Sequence, residues 1–222
     1  MKTYYSREHA REYNRTWQTF SQKTHAATLS LIDLARLQHM ARTREHPLRL
    51  LDVACGTGLL LAQLSHLLPG AEVYGIDQSE EMLSQARHRL QHDPHAHLVQ
   101  ATLDAEAMAS LPYAPASFDV ITCTNTFHYF KDPRGVLQGL KQFLTPQGQL
   151  VVEDYARRGF PFPWRLFEWM IKRRDPQHIR AYTLTEAQDL CRQAGVHVVS
   201  TKTFHINSVW QGWALRAETT EC

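Results

Sequence analysis

Gly56 and Gly58 follow Leu48 to Val53, a short apolar run of the length expected for a strand buried on both faces, and precede an apolar helical run from Leu59. Lacking Cβ atoms, the two glycines let the backbone turn sharply and let a ligand come close, while the following helix presents unpaired N–H groups. That arrangement suits a negatively charged or highly polar cofactor. An ordinary tight turn between strand and helix has the same signature, and the dinucleotide fingerprint is incomplete because Leu61 stands where its third glycine belongs. Asp77 favours the cofactor: it lies about twenty residues beyond the glycines, at the carboxyl end of an expected second strand, where an acid accepts hydrogen bonds from both ribose hydroxyls. Its plainer reading is a turn former ahead of a helix.

A frame of alternating strands and helices must hold these residues. Leu59 to Leu68 reads as a crossover helix closed by Pro69 and Gly70, and Glu72 to Ile76 as a strand ending in Asp77. Ser79 caps the next helix, with Glu80 and Glu81 in its first turn and Met82, Leu83, Ala86 and Leu90 on its buried face. Leu98 to Ala101 and Ser117 to Cys123 follow as strands three and four, then Thr124 to Phe130, a polar and aromatic stretch at the strand edge where open α/β sheets bind ligands. A helix from Pro133 to Leu144, a turn at Thr145 to Gly148 and a fifth strand from Gln149 to Asp154 complete a parallel, doubly wound pattern. Thr185 caps a helix to Ala194, Gly195 ends it, and Val196 to Thr203 with Val209 to Ala217 form a closing antiparallel pair.

Composition narrows the function. The 222 residues are 43% hydrophobic, enough for one core with length left for a cap. Lys and Arg number 24 against 22 Asp and Glu, and a formal charge of +2 implies no nucleic-acid partner. Cys55, Cys123, Cys191 and Cys222 lie far apart with no CxxC pair, so neither a metal site nor a disulfide framework is expected, and a reducing cytoplasm fits best. No apolar leader and no apolar run of about 20 residues is found, so no membrane span is expected. Monomer and homodimer both stay open.

The ordered runs LDVACGTG, GIDQSEEML, SFDVITCTNTFHYF and LKQFLTPQGQLVVEDY resemble the successive motifs of class I S-adenosylmethionine-dependent methyltransferases, in the branch similar to ubiquinone and menaquinone biosynthesis methyltransferases (methyltransferase type 11). The resemblance covers about residues 48 to 155. It implies a Rossmann-like, doubly wound, seven-stranded α/β sheet, mostly parallel with a C-terminal antiparallel strand, and S-adenosyl-L-methionine as cofactor. Ala54, Cys55, Gly56, Thr57 and Gly58 would then line the methionine moiety, with Asp52 behind the loop. Asp77 would take the ribose hydroxyls, Gln78 and Met82 flank the adenine, Asp104 and Ala105 meet its edge, and Thr124 and Asn125 close over the methionine part. This sequence departs from the family at Ala107 to Ser110, which lengthens the interval before Leu111-Pro112-Tyr113.

The implied reaction moves a methyl group from a sulfonium to a small, apolar or aromatic acceptor at oxygen, sulfur, nitrogen or carbon. A hydroxyl or thiol acceptor has a proton to lose, and His128 is the leading base, its ordinary pKa of about 6.5 suiting that work. A pocket-shaping histidine is the plainer account. Asp154 and Tyr155 would orient the acceptor, or simply pack at a strand end. Residues 1–46, with Tyr4, Tyr5, Tyr13, Trp17 and Phe20 and then the amphipathic face of Leu29, Ile32, Leu34, Ala35 and Leu37, are expected to form a helical cap on a methyltransferase domain at 47–222. Residues 156–182 would be a lid or substrate-binding insertion. Its aromatic run Gly159 to Trp164 leads to Leu166, Phe167, Met170 and Ile171, which would share a face packed on the sheet, before Lys172-Arg173-Arg174. His178 is either a second base or a solvated loop residue. Two rivals share the glycine turn: an NAD(P)-dependent oxidoreductase and an S-adenosylmethionine-binding protein without methyl transfer.

Overall fold

The computed structural model describes residues 17–159 and 163–219. Tyr4, Tyr5, Tyr13, Phe160, Pro161, Phe162 and Cys222 lie outside the described residues. Two helices open the description, α1 (Gln18–Leu31) and α2 (Leu34–Thr43), followed by β1 (Arg49–Val53), α3 (Leu59–Leu67), β2 (Glu72–Asp77), α4 (Glu80–Arg89) and β3 (Ala96–Gln100). Then come α5 (Ala105–Ala109), β4 (Phe118–Thr124), a 3₁₀ turn at Phe127–Tyr129, α6 (Pro133–Phe143) and β5 (Leu144–Tyr155). The chain closes with α7 (Trp164–Arg174), α8 (Leu184–Ala194), β6 (Val196–His205) and β7 (Gln211–Thr219).

The seven strands form one sheet in the order β3-β2-β1-β4-β5-β7-β6. All are parallel except β7, which runs antiparallel between β5 and β6. Side chains alternate across the sheet as the two-residue strand period demands. Leu50, Val73, Val120, Val151 and Ala214 pack with Leu31, Leu37, Leu60 and Leu64 of α1, α2 and α3. Leu51, Val53, Ile121, Val152 and Trp213 pack on the other face with Met108, Leu137 and Cys191 of α5, α6 and α8. The parallel crossovers bring the carboxyl ends of β1, β2 and β4 to one edge, at the point where strand order reverses.

Several expectations are corrected. The cap of α8 is Thr183, two residues before Thr185: its hydroxyl accepts from the Glu186 N–H, while the Glu186 carboxylate takes the Thr183 N–H at 2.8 Å, a reciprocal capping box. The turn expected before the fifth strand is part of it, because β5 already pairs with β4 at Leu144 and absorbs the extra residues as a register shift between Phe118 and Val120. The N-terminal helical run breaks at Ile32, where Asp33 caps α2 by accepting from the Arg36 N–H at 3.0 Å, and Ala35 is exposed. On α7, Leu166 and Met170 do not pack on the sheet. Trp164, Phe167 and Ile171 turn inward against Tyr155, Ala181 and Ile206, and Leu166 and Met170 turn out.

Candidate active site

The loop after β1 carries three left-handed residues within five positions: Ala54 at φ 59°, Gly56 at 52° and Gly58 at 71°. Only glycine adopts this region freely, so Ala54 holds a strained conformation that costs about 1–2 kcal/mol. The Cys55 N–H donates to the Ile76 carbonyl and the Gly56 N–H to Asp77 Oδ2 at 2.8 Å, which curls the loop onto the end of β2. A Cβ built on Gly56 meets nothing within 4 Å, so open space lies in front of that backbone. Gly58 serves a different purpose: its notional Cβ would sit 3.0 Å from Ala86 Cβ, and it lets α3 pack on α4.

A cavity of about 460 Å³ opens here, lined by Asp52, Ala54, Cys55, Gly56, Thr57, Asp77, Gln78, Met82, Leu103, Asp104, Thr124 and Asn125, with Ser21 and His25 from α1. Two of the thirteen expected cofactor residues do not line it. Gly58 faces α4, and Ala105 turns toward Gly135 of α6, where the two would stand 2.7 Å apart if Gly135 carried a Cβ. Asp104 does line it and also caps α5, accepting from the Ala107 N–H at 2.8 Å.

The charges at the rim are set by burial. Asp77 accepts one backbone N–H on each oxygen, from Gly56 and from Ser79, both at 2.8 Å, and keeps further acceptor positions. Burial raises its pKa against these N–H groups. Asp52 accepts the Thr122 hydroxyl at 2.7 Å, and its carboxyl is pushed up to about 7 by burial, with the neighbouring Asp77 adding to the shift against the Thr122 bond. Burial also drives the Cys55 thiol well above its usual range, which removes it as a nucleophile at neutral pH. Two buried polar atoms at the cavity have no partner among the described residues: His25 Nδ1 and Asn125 Oδ1. Burial lowers the His25 pKa to about 4, so its imidazole is neutral at pH 7. The acceptor-only Asp77, the open glycine backbone and these unpaired atoms fit a ligand with vicinal hydroxyls and a polar end.

A second, largely apolar cavity of about 680 Å³ adjoins the first at Asn125 and Tyr129. Phe20, His128, Tyr155, Phe167, Trp169, Met170 and Trp210 line it. His128 Nδ1 lies 2.8 and 2.9 Å from the two Asp154 oxygens, and Asp154 also accepts the backbone N–H groups of His128 and Tyr155. Both Asp154 oxygens already accept backbone N–H groups and act as acceptors toward the ring as well, which places the proton on Nδ1 and the lone pair on Nε2. His128 and Tyr155 line the cavity, and Asp154 stands behind them.

A second hydrogen-bonded chain reaches the same wall. Tyr155 and His178 Nδ1 are 2.7 Å apart, and His178 Nε2 is 3.0 Å from Glu168 Oε1, which also accepts the Ala181 N–H. Burial lowers the His178 pKa, and a nearby His128 adds to the effect against Glu168. Burial alone would raise the Glu168 carboxyl, but the Ala181 N–H and His178 outweigh it and hold it below its usual range. A neutral His178 therefore donates from Nε2 to Glu168 and accepts the Tyr155 proton at Nδ1. His178 is buried, and of its two sequence readings the solvated one is wrong. Ser21, His25 and Glu168 were not expected. Each joins the site through tertiary packing, with no local spacing to mark it.

Among the described residues no group of His, Cys, Asp or Glu could hold a metal, and no helix is long and apolar enough to cross a membrane.

Residues 45–204 match the family described as a methyltransferase domain. A ubiquinone biosynthesis O-methyltransferase of Azoarcus sp. is 30% identical over 181 residues, covering 77% of this chain and 73% of that protein. A demethylmenaquinone methyltransferase of Thermus thermophilus is 38% identical over 109 residues, 49% of this chain and 48% of its own. The chain spans about half the length of the first curated relatives it matches. The structure of Haemonchus contortus phosphoethanolamine N-methyltransferase 2 with S-adenosyl-L-methionine superimposes with a TM-score of 0.73 at 14% identity, over 99% of this chain and 59% of that one, a likeness of fold. The strand order, the glycine loop joined to Asp77 and the match over 45–204 agree: the chain belongs to the S-adenosylmethionine-dependent class I methyltransferases.

Proposed function

We propose that this chain binds S-adenosylmethionine in the polar cavity and transfers its methyl group to a small, apolar or aromatic acceptor in the adjoining one. The observation that carries the reading is the junction of the two cavities at Asn125 and Tyr129, with the His128–Asp154 pair on the apolar side. Asp77 would hold the ribose hydroxyls, Met82 and Leu103 the adenine, and Asp52, Gly56 and Asn125 the methionine end. Bound there, the cofactor supplies an electrophilic methyl group on a sulfonium.

The chain's own residues do the rest. Phe20, Phe167 and Trp210 exclude water and select an apolar body, so positioning supplies much of the rate. His128 Nε2 takes the proton of a hydroxyl or thiol acceptor, and Asp154 stabilises the imidazolium that forms. Residues 1–46 act as a cap through α1, which brings Ser21 and His25 to the cofactor, and residues 156–182 act as the acceptor-side lid on the domain at 47–222. Work in a reducing cytoplasm suits Cys55, Cys123 and Cys191, which are all free.

The test is transfer of label from methyl-labelled S-adenosylmethionine to a panel of hydrophobic phenols, thiols and quinols by the wild type and His128→Ala. The expected result is labelled product in at least one class, a loss of about 10²–10⁴-fold in turnover in the variant, and unchanged affinity for S-adenosylhomocysteine. Full turnover by the variant would remove His128 as the base. Cofactor binding with no transfer to any acceptor would favour a binding protein that performs no methylation.

A further inference from the structure

We propose that α7 docks this protein on an anionic lipid surface, placing Leu166, Trp169 and Met170 at the boundary of headgroups and acyl chains and Arg173 and Arg174 against acidic headgroups. Leu166, Trp169 and Met170 are 59%, 54% and 45% exposed, three of the five large hydrophobic side chains that the described residues leave exposed. Spaced i, i+3 and i+4, they fall on one face of the helix. The opposite face is already used, since Trp164, Phe167 and Ile171 pack inward. Water gives no reason for a helix of this length to be apolar on both faces, and a contiguous exposed apolar patch marks an interaction site.

Charge selects the partner. The Arg173 guanidinium lies over the Trp169 ring, 5.0 Å from its centroid, which continues the apolar face into a cationic end. Neither Arg173 nor Arg174 forms an ion pair among the described residues. Tryptophan at the headgroup level with flanking arginine is the composition of an interfacial helix, and anionic lipid attracts each such cation. The face is also continuous with the apolar cavity, which Trp169, Met170, Arg173 and Arg174 help to line, so an acceptor dissolved in lipid would enter without crossing water.

The inference goes beyond methyl transfer and stands without it. The experiment is co-sedimentation of the full chain with vesicles of phosphatidylglycerol and phosphatidylcholine, and of phosphatidylcholine alone, at low and high salt. Binding to the acidic vesicles only, weakened by salt, is expected. Arg173→Gln and Arg174→Gln should each weaken it about fivefold, and Leu166→Glu should abolish it. Leu166 lines neither cavity, so S-adenosylhomocysteine affinity measured by calorimetry should not change in that variant. No sedimentation, equal binding to phosphatidylcholine alone, or a gel-filtration dimer that Leu166→Glu splits without any vesicle binding would each overturn the proposal. Vesicle binding without binding of S-adenosylhomocysteine would leave it intact and overturn the proposed function instead.

Discussion

Replacing Asp52 with Asn should change how stability depends on pH. Asp52 is 1% exposed, and its carboxyl titrates at about 7 in the fold against an ordinary value of 3.8. A carboxyl raised by folding binds its proton more tightly in the native state. Native protein then holds more protons than unfolded protein between the two values, and stability falls as pH rises through that window, levelling above about 7. At 1.36 kcal/mol per unit, the three-unit gap amounts to about 4 kcal/mol of destabilisation once Asp52 is ionised in both states. Asn keeps an oxygen for the Thr122 hydroxyl but adds a buried NH₂ at a cost of about 1–3 kcal/mol that does not vary with pH. The diagnostic is therefore the slope. Between pH 5 and 7 the wild type should lose about 2.3 kcal/mol more stability than Asp52→Asn, the group being half ionised at pH 7, because every other titrating group is common to both. Urea denaturation of the two proteins without cofactor at pH 5, 6, 7 and 8 measures it. Parallel stability curves would refute the buried, proton-holding Asp52.

Two further substitutions follow from the backbone. Gly58→Ala puts a Cβ on a residue at φ 71° and 3.0 Å from Ala86 Cβ, so it should cost more than about 1–2 kcal/mol, read as a lowered urea midpoint. Thr183→Ala breaks the capping box of α8 and should cost about 1 kcal/mol without altering affinity for S-adenosylhomocysteine, since Thr183 lines neither cavity.

Local signals carried most of the frame. The apolar run into Gly56 and Gly58, the Ser79 cap and the strand ending at Asp77 each depend on residues within a few positions, and the elements lie where those residues put them. Thr183 and Thr185 are both good caps, and only Glu186 three residues after Thr183 separates them, a cue present in the sequence. The rest of the site is not local. Asn125 donates to the Thr24 hydroxyl at 3.0 Å across 101 residues, and Glu168 meets His178 and the Ala181 N–H only because the chain after α7 turns back along that helix. The outward face of α7 was misread because Leu166 and Met170 have the spacing and chemistry of core residues. Burial cannot be inferred where a helix has two apolar faces. Glu153 is a further case: a charged type near the carboxyl end of β5, fully buried, with neither carboxyl oxygen partnered among the described residues and its pKa driven well up by burial.

The loop after β1 and Asp77 together should form the S-adenosylmethionine site. Calorimetric titration of S-adenosylmethionine, S-adenosylhomocysteine and NADH into the wild type, Asp77→Asn and Asp77→Ala tests it most directly. The expected result is binding of the first two, none of NADH, and a loss of at least about 150-fold in Asp77→Ala from two charge-assisted hydrogen bonds worth about 1.5–3 kcal/mol each, with Asp77→Asn between. Binding of NADH alone, or an affinity for S-adenosylhomocysteine that Asp77→Ala leaves unchanged, would contradict it.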